Sequence, residues 1–442
     1  MSFFSGEACK TLMIETFKRI YVRSFGCPTN LADEEVIIGC LSEAGYEVVQ
    51  NIKDADILIY NTCAVKTPTE NRIINLLKNS PADKKLIVAG CLPLINFERL
   101  RAEVKADGIV GPSPGTRIVE AVSKVASGQE VIMLEKSSKL SLNVSKVRKH
   151  KVIGVIPISH GCLGSCSYCC VVFARGRLRS HKIDEVVERI KSDLASGIKE
   201  IWLTSQDTGC YGRDIESNLA TLLRQICRID GEFFVRVGMM TPNFALELLD
   251  ELIQVYKDEK IFKFLHLPVQ SGDNEVLKDM NRFYSVEDYE KIICRFREEV
   301  PDITIATDVI CGFPGESDKA FSKTLKLMEE TQPDIINVSK FFPRPHTTAE
   351  KMGSRVPLRE VSKRSKDMAE LAKKISLKKN KKWIGWEGKI LVDEKGKVSN
   401  SWIGRNFAYK PIVVESNESL LGKIINIRVV KTFATYLRAE IL

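Results

Sequence analysis

Three closely spaced cysteines are the strongest chemical signal in this 442-residue sequence. Cys162, Cys166 and Cys169 form a C-x3-C-x2-C pattern, here called the loop triad, which directly follows an apolar stretch that predicts a strand. Three thiolates at this spacing can bind three irons of a [4Fe–4S] cluster and leave the fourth iron open. The amino and carboxylate groups of S-adenosylmethionine (SAM) can chelate an open iron, and an electron from the cluster would then cleave SAM to a 5′-deoxyadenosyl radical. A zinc site is the alternative, although structural zinc sites usually have four protein ligands.

Three further cysteines stand alone, each after the carboxyl end of a predicted strand. This strand-end triad consists of Cys27 in SFGCPTN, Cys63 in YNTCAVKT and Cys91 in VAGCLP. Ligands bind at this edge of open parallel sheets, so the three thiols could converge there. Gly26 and Gly90 precede two of them and would let the backbone approach a cluster closely. We interpret Cys40, Cys227 and Cys294, which fall in amphipathic helical patterns, as small core residues.

The pattern of strands and helices that must position these cysteines predicts an α/β protein built from three successive parts. Residues 18–134 alternate apolar runs with helical stretches, which indicates a parallel sheet covered on both faces. Residues 135–151 are polar and basic, and we interpret them as a linker. Residues 152–357 contain six strand candidates separated by helices, which favours a partial (βα)6 barrel over a closed eight-stranded one. Residues 358–382 predict a basic helix, and residues 383–442 predict a small antiparallel β-barrel.

Charge and apolar content narrow the class of protein. The net charge is +9, and residues 358–383 hold ten Lys and Arg against three Asp and Glu, a local net of +7. Such dense positive charge fits a polyanion such as RNA, and a solvated helix face is the alternative. No apolar run approaches the length of a membrane span, and we identify no signal peptide. We therefore expect a cytoplasmic protein without a membrane partner, whose thirteen cysteines serve metal binding or catalysis rather than disulfides.

The sequence resembles the radical SAM methylthiotransferases over roughly residues 18–442. Within that family it is most similar to the archaeal and eukaryotic enzymes that modify N6-threonylcarbamoyladenosine in tRNA. The resemblance is carried by NTCAVKTPTENR, GCLGSCSYC followed by ARGRLRS, EIWLTSQDTGCYGRDI, FLHLPVQSGDNEVL, ITIATDVICGFPGE and FFPRPHT. Two positions depart from the family pattern, since Gln206 stands where a Glu is expected and His346 where a Gly is expected.

The resemblance implies a domain order, two metal centres and a reaction. The domains would be an N-terminal methylthiotransferase domain, a radical SAM domain and a TRAM domain that binds RNA. The strand-end triad would hold an auxiliary [4Fe–4S] cluster that supplies or carries sulfur, and the loop triad would hold the SAM cluster. The reaction would convert N6-threonylcarbamoyladenosine at position 37 of tRNA to its 2-methylthio derivative, with one SAM methylating the sulfur and a second activating C2 of the adenine. C2 has no acidic proton, so a cofactor must perform the difficult step.

The same resemblance implies partners and leaves rival substrates. We expect the anticodon stem-loop of tRNA, an electron donor such as ferredoxin or flavodoxin, and a sulfur donor to act with a monomeric protein. The nearest rival substrates are isopentenyl-modified adenosine in tRNA and an aspartate of a ribosomal protein. A rival from another class is a non-catalytic RNA-binding protein whose cysteines bind zinc.

Further candidate residues follow from their positions along the strands. Barrel sites lie at the carboxyl ends of strands, so residues there are candidates for SAM binding, with loop capping as the alternative. These candidates are Tyr168, Ser205, Gln206, Asp207, Gln270, Ser271, Ile310 and Gly312. His266 is either a core histidine or part of the site. Two groups of basic residues are candidates for RNA binding, one after the cluster loop and one among the C-terminal strands. Those after the cluster loop can instead pair with acidic neighbours. The candidates of both groups are Arg175, Arg177, Arg179, Lys389, Arg405, Lys410, Lys423, Arg428 and Lys431.

Overall fold

A parallel sheet forms the N-terminal part of the computed structural model, which describes residues 18–135 and 142–442. Its strands are Arg19–Ser24 (β1), Glu47–Val49 (β2), Ile57–Thr62 (β3), Lys85–Gly90 (β4), Gly108–Val110 (β5) and Val131–Met133 (β6). The surrounding helices are Pro28–Glu43 (α1), Thr67–Lys78 (α2), Leu92–Ile95 (α3), Phe97–Glu103 (α4) and Arg117–Ala126 (α5), with a 3₁₀ turn at Ile52–Asp54. The strand order is β2-β1-β3-β4-β5-β6, and all pairs are parallel.

Burial explains why four of these strands are visible in the sequence. Every residue of β3 is buried, because apolar clusters cover both faces of the sheet. Ile57 and Ile59 pack on one face, while Leu58 and Tyr60 pack on the other. The predicted strands β1, β3, β4 and β5 are confirmed. Strands β2 and β6 were missed, since three residues are too few to give a recognisable apolar run.

The central part contains eight strands and most of the helices. The strands are Ile153–Pro157 (β7), Ser159–His160 (β8), Arg179–Ser180 (β9), Glu200–Thr204 (β10), Phe234–Val237 (β11), Phe264–His266 (β12), Thr304–Cys311 (β13) and Ile335–Lys340 (β14). The helices are Val171–Arg175 (α6), Ile183–Ala195 (α7), Leu219–Cys227 (α8), Pro242–Glu247 (α9), Leu249–Tyr256 (α10), Asn274–Asp279 (α11), Val286–Glu299 (α12) and Asp318–Thr331 (α13). Two 3₁₀ turns cover Thr208–Cys210 and Thr348–Lys351.

Six of these strands form the partial barrel that the sequence predicts. They lie in two parallel sheets, β11-β10-β7 and β12-β13-β14, which a bridge between Val235 and Ile261 connects. The outer strands β7 and β14 leave the barrel open between them. The N-terminal part lies at this opening, because Ala32 of α1 packs on Ile153 of β7 and other N-terminal residues reach the β14 side. Strands β8 and β9 pair separately next to the cluster loop.

A long helix leads from the central part into a closed C-terminal barrel. The helix is Leu358–Lys381 (α14), and the strands are Glu387–Lys395 (β15), Ser401–Arg405 (β16), Pro411–Glu415 (β17), Ile424–Thr432 (β18) and Leu437–Ile441 (β19). The order around the barrel is β15-β16-β17-β19-β18. Four pairs are antiparallel, and the pair β17–β19 is parallel. Strand β16 was missed by the sequence analysis.

Buried polar contacts join the three parts. Arg175 of α6 pairs with Asp33 of α1, with 2.7 Å between Nη2 and Oδ2. Arg344, beyond β14, pairs with Glu70 of α2. The C-terminal barrel sits at the amino ends of the central strands, where Lys410 Nζ lies 2.7 Å from Asp334 Oδ1. The N-terminal sheet therefore lies near the carboxyl ends of the central strands, and the C-terminal barrel lies at the opposite ends.

The described part of the predicted linker packs between α1 and α7. Lys146 donates to Asp193 Oδ2 at 2.7 Å, and the backbone N–H of Val147 donates to the carbonyl of Glu35 at 2.9 Å. Residues 136–141 of that linker lie outside the described residues. Among the residues that are described, no helix has both the length and the apolar character needed to cross a bilayer.

Candidate functional site

The strand-end triad lies along one edge of the N-terminal sheet. Cys27 precedes α1, Cys63 follows β3, and Cys91 follows β4. Strands β1, β3 and β4 are neighbours, so their carboxyl ends place the three cysteines side by side. Cys63 and Cys91 are buried, whereas Cys27 is exposed. The convergence that the sequence analysis expected is therefore present in the fold.

Two glycines make this crowding possible. Gly26 has a φ of +117°, and a Cβ at this position would lie 2.6 Å from Cβ of Cys63. Gly90 has a φ of +97°, and its Cβ would lie 2.4 Å from the carbonyl oxygen of Thr62. Any side chain at either position would clash with the cysteine or with the backbone beside it. Asn30 ties the same loops together, because its Nδ2 donates to the carbonyls of Phe25 at 2.7 Å and Thr62 at 3.2 Å.

The loop triad lies in the segment between β8 and α6, and polar groups donate to two of its sulfurs. The backbone N–H of Gly164 donates to Cys162 Sγ at 3.1 Å. Nη1 of Arg282 donates to Cys166 Sγ at 3.0 Å. The neighbouring Cys210 thiol lowers the pKa of Cys162, although its hydrogen bond in the structure goes to the carbonyl of Asp207 at 3.2 Å. These donors stabilise negative charge on sulfur, which is the form that binds iron.

Both triads face one cavity of about 690 Å³, which all six cysteines line. The cavity extends into the central barrel, where Ser205, Gln206 and Asp207 at the end of β10 also line it. The loop triad is thus brought next to the strand-end triad, although more than 70 residues separate Cys91 from Cys162 in the sequence. A molecule inside this cavity can contact the surroundings of both triads.

The donor chemistry of the cysteines fits metal clusters. Burial raises the pKa of Cys63 to about 12 and also raises the pKa of Cys91 and Cys169. Such thiols stay neutral near pH 7 unless a cation compensates the thiolate, and iron would supply that charge. A Cβ at Gly164 would lie 3.3 Å from Cys162 Sγ, so the glycine leaves open space beside this sulfur.

The most compact set of potential metal ligands among the described residues does not coincide with either triad. Zinc–sulfur bonds of about 2.3 Å bring ligand sulfurs within about 4.6 Å of one another. Among the described residues, the one set of three potential ligand atoms within 4.8 Å of one another is Cys162, Asp207 and Cys210. Asp207 is already engaged there, because its carboxylate accepts hydrogen bonds from the backbone and hydroxyl of Thr241 and from Gly209. Each triad offers three thiols, and in a [4Fe–4S] cube each of three cysteines binds a different iron.

Most SAM-binding candidates line a cavity. Gln206 holds the cluster loop, since its Oε1 accepts from the N–H of Gly161 at 2.7 Å. Asp207 is buried and orders the loop after β10 through Thr241. Tyr168 and Gln270 line both the cysteine cavity and a second cavity described below, while Ile310 lines the second. Gln270 adopts a φ of +69°, which turns the chain directly after β12.

Two SAM-binding candidates, Ser271 and Gly312, lie behind the wall of these cavities, and their contact with SAM stays a prediction. Ser271 is fully buried, and its hydroxyl lies 3.5 Å from Oγ1 of Thr324. Gly312 faces α14, where a Cβ would lie 2.4 Å from Val361. Both residues have structural roles, since the first meets α13 and the second allows α14 to pack closely.

The second cavity, of about 990 Å³, follows β14 from the cluster loop to the C-terminal barrel. Tyr168, Cys169 and Gln270 line one end, and Tyr409 and Lys410 line the other. Asp308 and Asn337 line its wall. Oδ1 of Asp308 accepts from Asn337 Nδ2 at 2.8 Å and lies 3.2 Å from His266 Nε2. His266 therefore has a polar partner and lines the cysteine cavity, which fits both a satisfied core histidine and a residue of the site.

Two residues predicted to bind RNA, Arg175 and Lys410, are buried in ion pairs, and a third, Arg405, is half-buried in one, so the structure does not present them to RNA. Arg175 contacts Asp33, Asn30 and Ser113. Arg405 lies 3.0 Å from Asp393, and Lys410 pairs with Asp334. A guanidinium or ammonium enclosed by protein carboxylates is not available to phosphates. The exposed candidates are Arg177, Lys389, Lys423, Arg428 and Lys431, and Arg179 is half-buried.

Several residues of the site escaped the sequence analysis. Arg282 contacts the loop triad from a distant loop and no local motif marks it, whereas Cys210 lies in the quoted stretch EIWLTSQDTGCYGRDI but was not singled out. Arg236 of β11 lines the cysteine cavity and lies over the rings of Trp202, Phe264 and Tyr409. Its buried Nε has no hydrogen-bond partner within the described structure. A basic residue within an otherwise apolar strand was the available signal for Arg236.

The fold and the site together define a radical SAM protein with an added N-terminal domain that carries cysteines and a small C-terminal β-barrel. Residues 156–328 match the radical SAM superfamily, residues 19–111 match the uncharacterized protein family UPF0004, and residues 382–442 match the TRAM domain. The solved structure of the radical SAM methyltransferase TsrM from Kitasatospora setae has the same fold, with a TM-score of 0.54 and 16% identity over 75% of this chain and 77% of that one.

Full-length relatives narrow the class to one family. The chain is 41% identical to a probable threonylcarbamoyladenosine tRNA methylthiotransferase from Pyrococcus horikoshii, over 96% of this chain and 99% of the relative. It is 36% identical to the human threonylcarbamoyladenosine tRNA methylthiotransferase, over 97% of this chain and 74% of the relative. The chain belongs to the threonylcarbamoyladenosine tRNA methylthiotransferase family.

Proposed function

We propose that this protein is the enzyme that converts N6-threonylcarbamoyladenosine at position 37 of tRNA to its 2-methylthio derivative. The observation that carries the proposal is the single cavity lined by two cysteine triads in a chain with full-length relatives of that name. The reaction needs a sulfur source and a SAM site next to the same adenine, and one shared cavity satisfies this geometric requirement. The relatives do not favour the two rival methylthiotransferase substrates.

The protein uses SAM and two [4Fe–4S] clusters. When bound, the SAM cluster supplies the electron that cleaves SAM, and the auxiliary cluster supplies or carries the sulfur that is inserted. In our proposal the loop triad holds the first cluster and the strand-end triad holds the second. Arg282 and Gly164 stabilise the loop thiolates by hydrogen bonds, and Gln206 fixes the start of the loop through Gly161.

The residues of the barrel orient SAM and the adenine. In our proposal Ser205, Gln206 and Gln270 contact SAM, while Tyr168, which lines both cavities, lies between them. Enclosure by the barrel and the N-terminal sheet excludes water, which protects reactive species and strengthens polar contacts inside. The adenine must leave its stack to enter, and unpaired bases of an anticodon loop can do so.

tRNA is the macromolecular partner that the TRAM domain and the relatives support. We propose that the exposed cations Lys389, Lys423, Arg428 and Lys431, together with Arg177, contact its phosphates, since such contacts provide affinity without reading sequence. Arg428 also pairs with Glu387 at 2.6 Å, so it would exchange a protein carboxylate for a phosphate. The domain boundaries 18–134, 152–357 and 383–442 belong to the same proposal.

The remaining partners follow from the chemistry. Cleavage of SAM requires an electron, and repeated turnover requires new sulfur, so we propose a low-potential donor such as ferredoxin or flavodoxin and a separate sulfur donor. We further propose a monomer that works in the cytoplasm, where its tRNA substrate is found.

One assay compares the candidate substrates directly. Anaerobically reconstituted protein is incubated with SAM, reductant and one of three substrates, and the products are analysed by mass spectrometry. The substrates are an anticodon stem-loop with N6-threonylcarbamoyladenosine, one with isopentenyladenosine, and the ribosomal-protein aspartate peptide. We expect the methylthio product from the first substrate. Product from either of the others, with none from the first, would refute the proposal.

A further inference from the structure

A lysine faces the second cavity from the loop that carries one of the cluster cysteines. Lys66 lies three residues after Cys63, just before α2, and its Nζ donates to Ser339 Oγ of β14 at 2.7 Å. Three residues of extended chain span at most about 10 Å, so Lys66 stays close to the strand-end triad. The hydrogen bond crosses the opening of the barrel from the N-terminal part to β14. Lys66, Ser339 and Asn337 all line the same cavity.

The other cations in or near this cavity differ from Lys66 in their partners or in their position. Arg344 is neutralised by Glu70, and Lys410 is neutralised by Asp334. Lys340, like Lys66, donates to a hydroxyl, that of Ser362 on α14, and Lys373 lies on that helix, so neither is next to a cluster cysteine of the N-terminal sheet. Arg236 lies deeper in the barrel among aromatic rings and lines the cysteine cavity instead. Lys66 is therefore the cation of this cavity that is connected directly to the loop of a cluster cysteine.

The carboxylate of Asp308, which lines the same cavity, is committed to other donors. Asp308 receives hydrogen bonds from His266 and Asn337, and these two residues, with a smaller contribution from Lys66, lower its pKa against the opposing effect of burial. Among the ion pairs of the described residues, none joins Lys66 to Asp308. The ammonium thus has a hydroxyl as its hydrogen-bond partner and is available to a second anion in the cavity.

The substrate of the proposed function brings such an anion. The threonylcarbamoyl group ends in an α-carboxylate, which is ionised at neutral pH because the pKa of such groups is about 3.5. It also carries a hydroxyl and a ureido group, whereas an isopentenyl group is wholly apolar. N6 and C2 both flank N1 on the same edge of adenine. An adenine that presents C2 to the strand-end triad therefore directs its N6 substituent to the same side, where the chain after Cys63 lies.

We propose that Lys66 binds the threonyl carboxylate of the substrate, with Ser339 and Asn337 beside it to bind the hydroxyl and ureido groups. This inference rests on the proposed function and adds to it the residues that select the substrate. Lys66 is exposed in the structure, so it can reach a carboxylate in the cavity, and an analogue that lacks the carboxylate forgoes the hydrogen bond between charged groups. The same subsite would reject isopentenyladenosine for that reason.

The test removes the charge from the enzyme and from the substrate in turn. Two anticodon stem-loop RNAs are compared, one with the natural carboxylate and one with the threonine carboxamide in its place. Wild-type holoenzyme is expected to prefer the carboxylate by about ten- to a hundredfold in kcat/KM, the range for a hydrogen bond between charged groups. Lys66→Gln is expected to reduce this preference to below about threefold, mainly through KM, while Lys66→Arg retains it.

The control and the outcomes separate this inference from the proposed function. Lys78→Gln removes an exposed lysine from the other end of α2, where it pairs with Glu103 at 3.3 Å, and should keep the wild-type preference. An unchanged preference in Lys66→Gln would overturn the subsite. An equal loss on both RNAs, which would mean that Lys66 contacts the RNA backbone, would overturn it as well. If the wild type fails to convert the carboxylate RNA at all, the proposed function falls and the inference falls with it.

Discussion

Breaking the Arg175–Asp33 pair should loosen the N-terminal sheet from the cluster loop. Nη2 of Arg175 lies 2.7 Å from both Asp33 Oδ2 and Asn30 Oδ1, and Nη1 donates to Ser113 Oγ at 2.8 Å. Both charged side chains are at most 5% exposed, so water cannot replace the lost partner. Removing one member of a buried pair costs about 3–5 kcal/mol, because it leaves the other charge uncompensated. We expect a loss of that size in Arg175→Met and in Asp33→Asn.

Hydrogen–deuterium exchange of reconstituted protein measures this loss locally. An opening free energy reduced by about 3–5 kcal/mol accelerates exchange by about 10²- to 10⁴-fold, up to the limit set by global unfolding. The acceleration should appear in peptides from α1 and from the loop triad. We also expect fewer methylthio products per SAM cleaved, because the two triads would no longer be held in one geometry.

Two further variants show whether the effect arises from burial of the pair. The double variant Arg175→Met/Asp33→Asn should lose less than the sum of the two single losses, since no uncompensated charge remains. Arg224→Met removes an exposed arginine that lies 2.9 Å from Glu251, and it should cost less than about 1 kcal/mol. If Arg175→Met behaves like Arg224→Met, the buried pair does not join these domains and our reasoning is wrong.

Three other predictions test separate parts of the structure. Gly26→Ala should lose the auxiliary cluster, about four irons, because the added Cβ would meet Cys63. The control Gly45→Ala, at a similar φ of +86° but with nothing within 4 Å, should keep its iron content. Equal iron content in both variants would contradict the crowding argument. Burial raises the pKa of Glu35 from about 4.5 to about 7, so its contribution to stability is complete below pH 4.5 and is lost as the pH rises through 7. Glu35→Gln should therefore have a higher thermal midpoint than the wild type at pH 8 but not at pH 4.5, and equal midpoints at both would count against it. Lys389→Ala and Lys431→Ala should each weaken RNA binding and reduce the slope of log affinity against log salt by about 1; unchanged slopes would place the RNA elsewhere.

The metal-binding cysteines could be predicted from the sequence because their positions follow from local patterns of residues along the chain. An apolar run fixes where a strand ends, so the cysteine that follows β3 or β4 must lie at the sheet edge. Neighbouring parallel strands then bring such residues together without further information. The compact loop triad is encoded within eight consecutive residues, from Cys162 to Cys169. For these reasons the fold class and the position of the six cysteines needed no knowledge of tertiary packing.

Contacts between domains could not be predicted in this way. Arg175 follows the cluster loop and has the composition of a phosphate-binding residue, but its partner Asp33 lies 142 residues earlier in the chain. Lys410 likewise has the sequence context of a surface strand, and its pair with Asp334 exists because the C-terminal barrel docks on the central strands. A basic residue looks the same in sequence whether it faces RNA or a buried carboxylate. The arrangement of the domains decides between the two.

Iron content combined with turnover tests most directly whether two triads hold two clusters that act on one substrate. Reconstituted wild-type protein should contain about eight irons per chain, and Cys63→Ala and Cys166→Ala should each contain about four. Cys63→Ala should still cleave SAM to 5′-deoxyadenosine but form no 2-methylthio product, whereas Cys166→Ala should do neither. Methylthio product from Cys63→Ala, or a wild type that binds only four irons, would contradict the account.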